Sequence, residues 1–328
     1  MNFGLAILWT LYFVASTPST ASAAPVDAVP IIGVLSVSPV SQTENPTHTY
    51  IYTSYLKWLE ANNLRWLQIS MHESEQSIRN KLSKVDGALL PGGSEDFGTE
   101  DQPSVYSQAV KVILTYAMSL NDEGTVFPVF ATCLGFQSML VVLSDFRVRL
   151  DSTPNENFTL PVNLHDKAYT SGLSLIFGSK QLENIAGRPV FYFHHKNGFL
   201  LSQALSNEYI KENIDILGDF TTNEGVSVLG IFEHKRYPFL AAQFHVEKVL
   251  FEHADELDLN KSDFSVYVNN RFGRYLAEKL RAAKPKIDNK ELLSYRTDMI
   301  VISPSGLSDE AYVFPIKGNE EQSEAMEI

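Results

Sequence analysis

Residues Phe127-Pro128-Val129-Phe130-Ala131-Thr132-Cys133-Leu134-Gly135-Phe136-Gln137 decide how this chain is read. An apolar, strand-like stretch runs into Cys133, and Gly135 leads at once into a helix-compatible stretch, Gln137 to Leu143. A strand that turns sharply into a helix lifts the residue at the turn clear of its sheet and aims the helix's positive end at it. Such a place favours the thiolate form in which a cysteine acts as a nucleophile. A lone cysteine is more commonly an inert core residue, so the elbow needs support from the rest of the chain.

Upstream, the order of elements supplies a setting. Pro30 to Ser38 is a continuous apolar run that suits a strand buried on both faces, and Tyr50 to Asn62 carries Ile51, Tyr55, Leu56 and Leu59 at helical spacing. Arg65 to Ile69 reads as a strand and Ser77 to Lys84 as a short helix. Gly87 to Gly93 reads as a strand ending in a glycine turn, Val105 to Leu120 as an amphipathic helix, and Val126 to Ala131 as another strand. Alternation of this kind predicts βαβ units, hence an α/β fold with a mostly parallel central sheet flanked by helices. The second half reads differently. Leu173 to Phe177 and Val190 to His195 read as antiparallel or mixed strands, and Gly225 to Glu233 with Pro238 to His245 as a hairpin about Lys235-Arg236-Tyr237. Phe264 to Ala283 reads as one long helix. No Pro- or Gly-rich linker divides residues 24–316, which favours one domain.

Composition excludes several classes. One cysteine in 328 residues rules out a disulfide-stapled mini-protein, and 44% hydrophobic residues with 11% aromatics argue against general disorder. A net charge of −13 disfavours nucleic-acid binding and attachment to anionic lipid by charge alone. Residues 1–23 lack charged side chains, contain the short apolar run Leu5 to Ala15 and end Ala21-Ser22-Ala23, the pattern of a secretory signal peptide. Asn157-Phe158-Thr159 and Asn260-Lys261-Ser262 are N-glycosylation sequons compatible with that route. A secreted or lysosomal/vacuolar lumenal protein is expected, with no membrane span. The acidic residues of 317–328 read as a disordered tail.

A nucleophilic thiol needs a base and an oxyanion site. Gln243-Phe244-His245-Val246-Glu247 sets His and Glu two apart; in extended chain they share a face, so Glu247 can fix the tautomer of His245. Leu90-Pro91-Gly92-Gly93-Ser94 has the glycines that let amide N–H groups turn into a pocket. Each motif alone is common, and it is their order and context that carry weight.

In that order they resemble the class I glutamine amidotransferase-like superfamily and, within it, the γ-glutamyl hydrolase (folate conjugase) family. Pro30 to Leu35, Ser54 to Glu60, Phe193-His194-His195-Lys196 and Ser303-Pro304 to Phe314 resemble that family too, so the similarity spans Pro30 to Phe314. The resemblance implies Cys133 as nucleophile, His245 as acid/base, Glu247 as its orienting partner and the backbone N–H groups of Gly93 and Leu134 as oxyanion hole. It also implies a substrate-contacting histidine, His195 with His194 as the alternate, and places Gln137 among the substrate-binding residues, where animal members often carry Glu. The expected reaction is thioester-mediated hydrolysis of γ-glutamyl amides in folate polyglutamates or related peptides. It calls for no metal and no cofactor, and the resemblance suggests a homodimer. A catalytically silent binding or storage protein, or a glutaminase domain, are the competing readings.

The chain departs from the family at Ala131, where glycine is usual, at Val246, usually proline, and at Phe244, commonly tryptophan. An anionic polyglutamate also meets an acidic protein. The sequence therefore predicts a local basic or His-lined groove at His194, His195 and Lys196, and better activity at mildly acid pH as histidines charge.

Overall fold

The computed structural model describes residues 29–39, 47–281, 283, 286–296, 298–302 and 309–316. The signal-peptide and acidic-tail assignments, 1–23 and 317–328, lie outside them. In chain order the elements that build the site are β1 (Ile31–Ser36), β2 (His48–Tyr52), α1 (Thr53–Ala61), β3 (Arg65–Ser70), α2 (Glu75–Leu82), β4 (Gly87–Leu90), α3 (Val105–Asp122), β5 (Val129–Thr132) and α4 (Leu134–Leu143). The later strands are β6 (Asp151–Leu160), β7 (Asn163–Leu164), β8 (Phe191–Gly198), β9 (Ile214–Thr221), β10 (Ser227–His234), β11 (Phe239–Ala242), β12 (Ile300–Ile302) and β13 (Ala311–Pro315).

The main sheet runs β3-β1-β4-β5-β11-β10-β9-β7. From β3 to β11 every pairing is parallel, and from β11 to β7 every pairing is antiparallel. The predicted α/β class, with antiparallel additions in the second half, is the one observed. Period-two alternation decides which core each strand residue enters. Ala88, Leu90, Val129, Ala131, Phe239 and Ala241 pack on one face with Ile78 and Leu82 of α2, Ile113 of α3 and Met139 of α4. Leu89, Phe130, Leu240 and Ala242 pack on the other with Tyr55, Trp58 and Leu59 of α1. A sheet buried on both faces accounts for the unbroken apolar runs in its parallel strands.

Three local readings are corrected. Tyr50 to Tyr52 belong to β2, not to the following helix, because β13 pairs with them antiparallel from the far end of the chain. Leu173 to Phe177 are helical within Gly172–Phe177, where the Ser171 hydroxyl caps by accepting from the Leu173 N–H. The long helix expected from Phe264 is two, Asp263–Arg271 and Gly273–Lys279. At the break, Gly273 lies so close to Asn62 that a Cβ there would stand 2.2 Å from Asn62 Nδ2. The hairpin about residues 235–237 forms as β10 and β11.

Candidate active site

Cys133 ends β5 and precedes α4, with φ 50° and ψ −110°. A positive φ is strained for a residue with a Cβ, and strain of this kind collects at functional turns. The conformation is held from both sides. The Cys133 N–H donates to Ala242 O at 3.0 Å, and the Cys133 carbonyl accepts from the Gln137 N–H at 3.1 Å. Gly135 is forced by space, since a Cβ there would lie 2.0 Å from Leu90 O. The side chain is nearly buried, at 5% exposure, and the thiol lies 3.6 Å from the His194 carbonyl oxygen.

Because Thr132 of β5 pairs in parallel with Ala242 of β11, the residues leaving the two strands emerge side by side. His245, three residues beyond β11, is held by its N–H to Tyr192 O at 2.8 Å. Its Nδ1 sits 2.7 Å from Glu247 Oε1 and 3.2 Å from the Tyr55 hydroxyl, which leaves Nε2 for the sulfur. The shared face expected of an extended chain is not how the pair forms: Glu247 is in the αR region, in a turn before the helix Lys248–Phe251. Glu247 is fully buried. Burial works against a charged imidazole, but Glu247 and the hydrogen-bonded Cys133 outweigh it and raise the His245 pKa to about 9.

The glycine turn lies over this pair. A Cβ on Gly92 would come within 2.7 Å of His245 Cε1 and 3.3 Å of Cys133 Cβ, and one on Gly93 within 3.1 Å of Leu134 Cδ2. Among the described residues the N–H groups of Gly93 and Leu134 donate to no protein acceptor, whereas Gly92 donates to the Tyr55 hydroxyl at 2.7 Å and Gly135 to Pro91 O at 3.1 Å. Two N–H groups free of protein acceptors beside a thiol could serve as donors to an oxyanion.

Tyr55 was absent from the sequence-derived site. It reads as an apolar helix position, yet its buried hydroxyl joins Gly92, His245 and, at 3.0 Å, Thr132 Oγ1. No pattern in one sequence separates such a tyrosine from a core ring. Gln137, one turn into α4, donates through Nε2 to Asn197 O at 2.6 Å and to Gln243 Oε1 at 3.1 Å.

Cys133, His245, Gly92, Gly93, Leu134 and Gln137 line a cleft of about 390 Å³ that also presents Tyr50, Tyr52, Glu95, Glu156, His194, His195, Lys196 and Lys248. Both histidines of the Phe193 strand reach it. His195 is buried with neither ring nitrogen in a hydrogen bond of normal geometry. Burial above all, then the neighbouring His245, lowers its pKa to about 3; the nearby Asn197 backbone opposes this weakly. His194, 3.8 Å from Glu156, is lowered by burial and then by His245 to about 4. The histidine-lined groove exists, but the expectation that these two histidines charge at mildly acid pH is corrected: desolvation keeps them neutral there.

The departures fall in packed positions. Phe244 packs tilted against Phe191 and edge-on against Phe193 and Phe272, and Val246 and Ala131 are fully buried. At the sequons, Asn157 Nδ2 donates to Glu256 O at 2.8 Å and Asn260 Nδ2 to Pro189 O at 2.7 Å. Among the described residues no helix is long and apolar enough to cross a membrane, and no three His, Cys, Asp or Glu side chains gather as a metal site.

The model of the family "Glutamine amidotransferase class-I" matches residues 49–261. The gamma-glutamyl hydrolase of Mus musculus is 27% identical over 289 residues, covering 87% of this chain and 89% of the relative. Gamma-glutamyl hydrolase B of Dictyostelium discoideum is 23% identical over 270 residues, 82% and 77% of the two chains. Gamma-glutamyl hydrolase 1 of Arabidopsis thaliana is 26% identical over 295 residues, 87% and 82%. With its Cys133 elbow, glycine turn and His-x-Glu turn inside the matched region, the chain belongs to the class I glutamine amidotransferase family, in which it is similar to the γ-glutamyl hydrolases.

Proposed function

We propose that this protein is a cysteine-dependent hydrolase of γ-glutamyl amide bonds, in folate polyglutamates or related γ-glutamyl peptides. The observation that carries the reading is Cys133 on its strained elbow, beside the unpartnered N–H groups of Gly93 and Leu134 and facing a histidine held by Glu247. The Cys133 sulfur attacks the γ-carbonyl carbon, and the resulting oxyanion accepts from the two N–H groups. His245 gives its proton to the leaving nitrogen, the C–N bond breaks and a thioester remains. Water, losing a proton to His245, attacks the thioester, and glutamate or the shortened γ-glutamyl chain leaves as the thiol reforms.

The gamma-glutamyl hydrolase relatives support the bond type, and the packed site favours catalysis over a silent scaffold. A secreted or lysosomal/vacuolar setting, with glycans at Asn157 and Asn260, belongs to the same reading and rests on the leader-like residues 1–23 and the two sequons. Purified protein is incubated with a γ-glutamyl peptide beside Cys133→Ala. Release of glutamate by the wild type, lost in the variant by about 10³-fold or more, is expected. Equal, slow release by both overturns the reading.

A further inference from the structure

Strand β8 serves the site with its main chain as well as its side chains. Its Tyr192 carbonyl accepts the His245 N–H at 2.8 Å, its His194 carbonyl lies 3.6 Å from the Cys133 thiol, and its Asn197 carbonyl accepts from Gln137 Nε2 at 2.6 Å. One strand therefore touches the thiol, the imidazole residue and the helix that follows the elbow. Yet β8 lies outside the main sheet, and among the described strands it ladders with β6 alone. That ladder slips twice, between Ser152 and Asn155 and between Glu156 and Phe158, each time by one extra residue on β6. Hydrogen bonds of so irregular a ladder fix its register poorly, and side chains between the strands must help.

Three buried side chains stand there with polar atoms that no protein group meets. They are Thr153 Oγ1 and Asn155 Nδ2 on β6 and both ring nitrogens of His195 on β8, all shut off from solvent and none in a hydrogen bond of normal geometry. Asn155 is the ladder partner of His195. Thr153 Oγ1 and the His195 ring flank one point over Gly198: a Cβ on that glycine would stand 2.7 Å from the hydroxyl and 3.9 Å from His195 Cε1.

The chemistry of the set says what it holds. Asn155 Oδ1 accepts from the Asn223 N–H at 3.4 Å, so the amide turns its hydrogens to the strand pair. A hydroxyl gives or takes a hydrogen bond, and a neutral imidazole offers one donor and one acceptor. Burial keeps His195 neutral, so the three groups carry no charge with which to hold an ion. A small neutral molecule that both donates and accepts satisfies all three, and internal water is the usual partner of such buried groups.

Taking the proposed roles of Cys133 and His245 as given, we propose that an internal water is bound between β6 and β8 by Thr153 Oγ1, Asn155 Nδ2 and a ring nitrogen of His195, and that through it Thr153 and Asn155 are positioning residues. They hold the register of β8, and with it the placing of the thiol against the imidazole. Neither side chain reaches the substrate.

A crystal structure of the full chain at a resolution that shows water is the first test, and a water within hydrogen-bond reach of the three groups is expected. The second uses Thr153→Val, which keeps the shape and removes the hydroxyl, beside Thr153→Ser, which keeps the hydroxyl. Thr153→Val should slow both alkylation of Cys133 by iodoacetamide and kcat on γ-glutamyl-p-nitroanilide by about 5-fold or more with KM little changed, whereas Thr153→Ser should keep both within about twofold of wild type. Direct contact of the three groups without water, equal losses in the two variants, or a lowered thermal midpoint in Thr153→Val with wild-type alkylation and kcat overturns the inference. Should Thr153→Val not fold, the crystal structure and an Asn155→Asp variant, which sets an acceptor where the water needs a donor, decide by the same two rates. Wild-type protein that is alkylated but hydrolyses nothing brings down the hydrolase reading alone, since the water and the alkylation rates are read without turnover.

Discussion

Glu247 Oε1 lies 2.7 Å from Nδ1 of His245, and both side chains are buried against the end of β11. The carboxylate can only accept when ionised, so it holds the imidazole proton on Nδ1 and keeps Nε2 directed at sulfur. In Glu247→Gln the amide can rotate to donate and so select the wrong tautomer. Activity on a γ-glutamyl substrate should fall by about 10²-fold or more, mainly in kcat, with little change in KM. An unchanged kcat would remove Glu247 from the mechanism.

Tyr55→Phe deletes a hydroxyl that serves three partners at once. The Gly92 N–H is left buried without an acceptor, at a cost of about 1–3 kcal/mol. Chemical denaturation should register that loss, and kcat should drop by about 10-fold or more as the glycine turn and His245 lose their common anchor. Denaturation midpoint and kcat, measured on the same preparation, check both.

The pH dependence follows from His245, whose pKa is raised from 6.5 to about 9. A pKa raised on folding stabilises the native state by an amount fully present below the unfolded value and lost as pH rises through the folded one. The stabilisation is thus complete below about 6.5 and fades toward pH 9 and beyond. In the proposed mechanism loss of the proton also removes the acid that expels the leaving group, so kcat should decline through the same range. Because His194 and His195 are already neutral at mildly acid pH, no second rise in activity is expected between pH 5 and 7 from their charging. A thermal midpoint and a kcat profile from pH 5 to 10 test both statements.

Gly135→Ala meets main chain rather than a movable side chain, with its Cβ 2.0 Å from Leu90 O. Either the elbow or β4 must shift, at about 1–3 kcal/mol of stability. Alkylation of Cys133 by iodoacetamide should slow markedly, since the sulfur leaves its place opposite His245. A wild-type alkylation rate in a folded Gly135→Ala protein would show that the elbow does not depend on this close approach.

The strands of the parallel sheet could be read from sequence because each is apolar on both faces and bounded by turn residues, and the hairpin because its turn is polar between two apolar runs. Elements whose identity depends on distant partners could not. Tyr50 to Tyr52 pair with β13, more than 250 residues away, and nothing local distinguishes them from the helix they precede. Leu173 to Phe177 is too short for a period to declare itself, so its Ser171 cap decided the outcome. At the site, Cys133, His245, Glu247 and the glycine turn were legible because their chemistry is rare in combination. Tyr55 was not, because a buried tyrosine acquires meaning only from what the fold sets beside it.

The pairing of β13 with β2 also bears on how the protein is made. The strand that leads into α1 and Tyr55 is flanked by β13, and Thr53 donates its N–H to the carbonyl of Glu310, 257 residues later. During synthesis Cys133, His245 and the glycine turn all emerge before β13, which pairs with the strand that leads into α1. Docking of β13 on β2, a contact of high sequence separation, is therefore among the slower steps that complete the fold around the site.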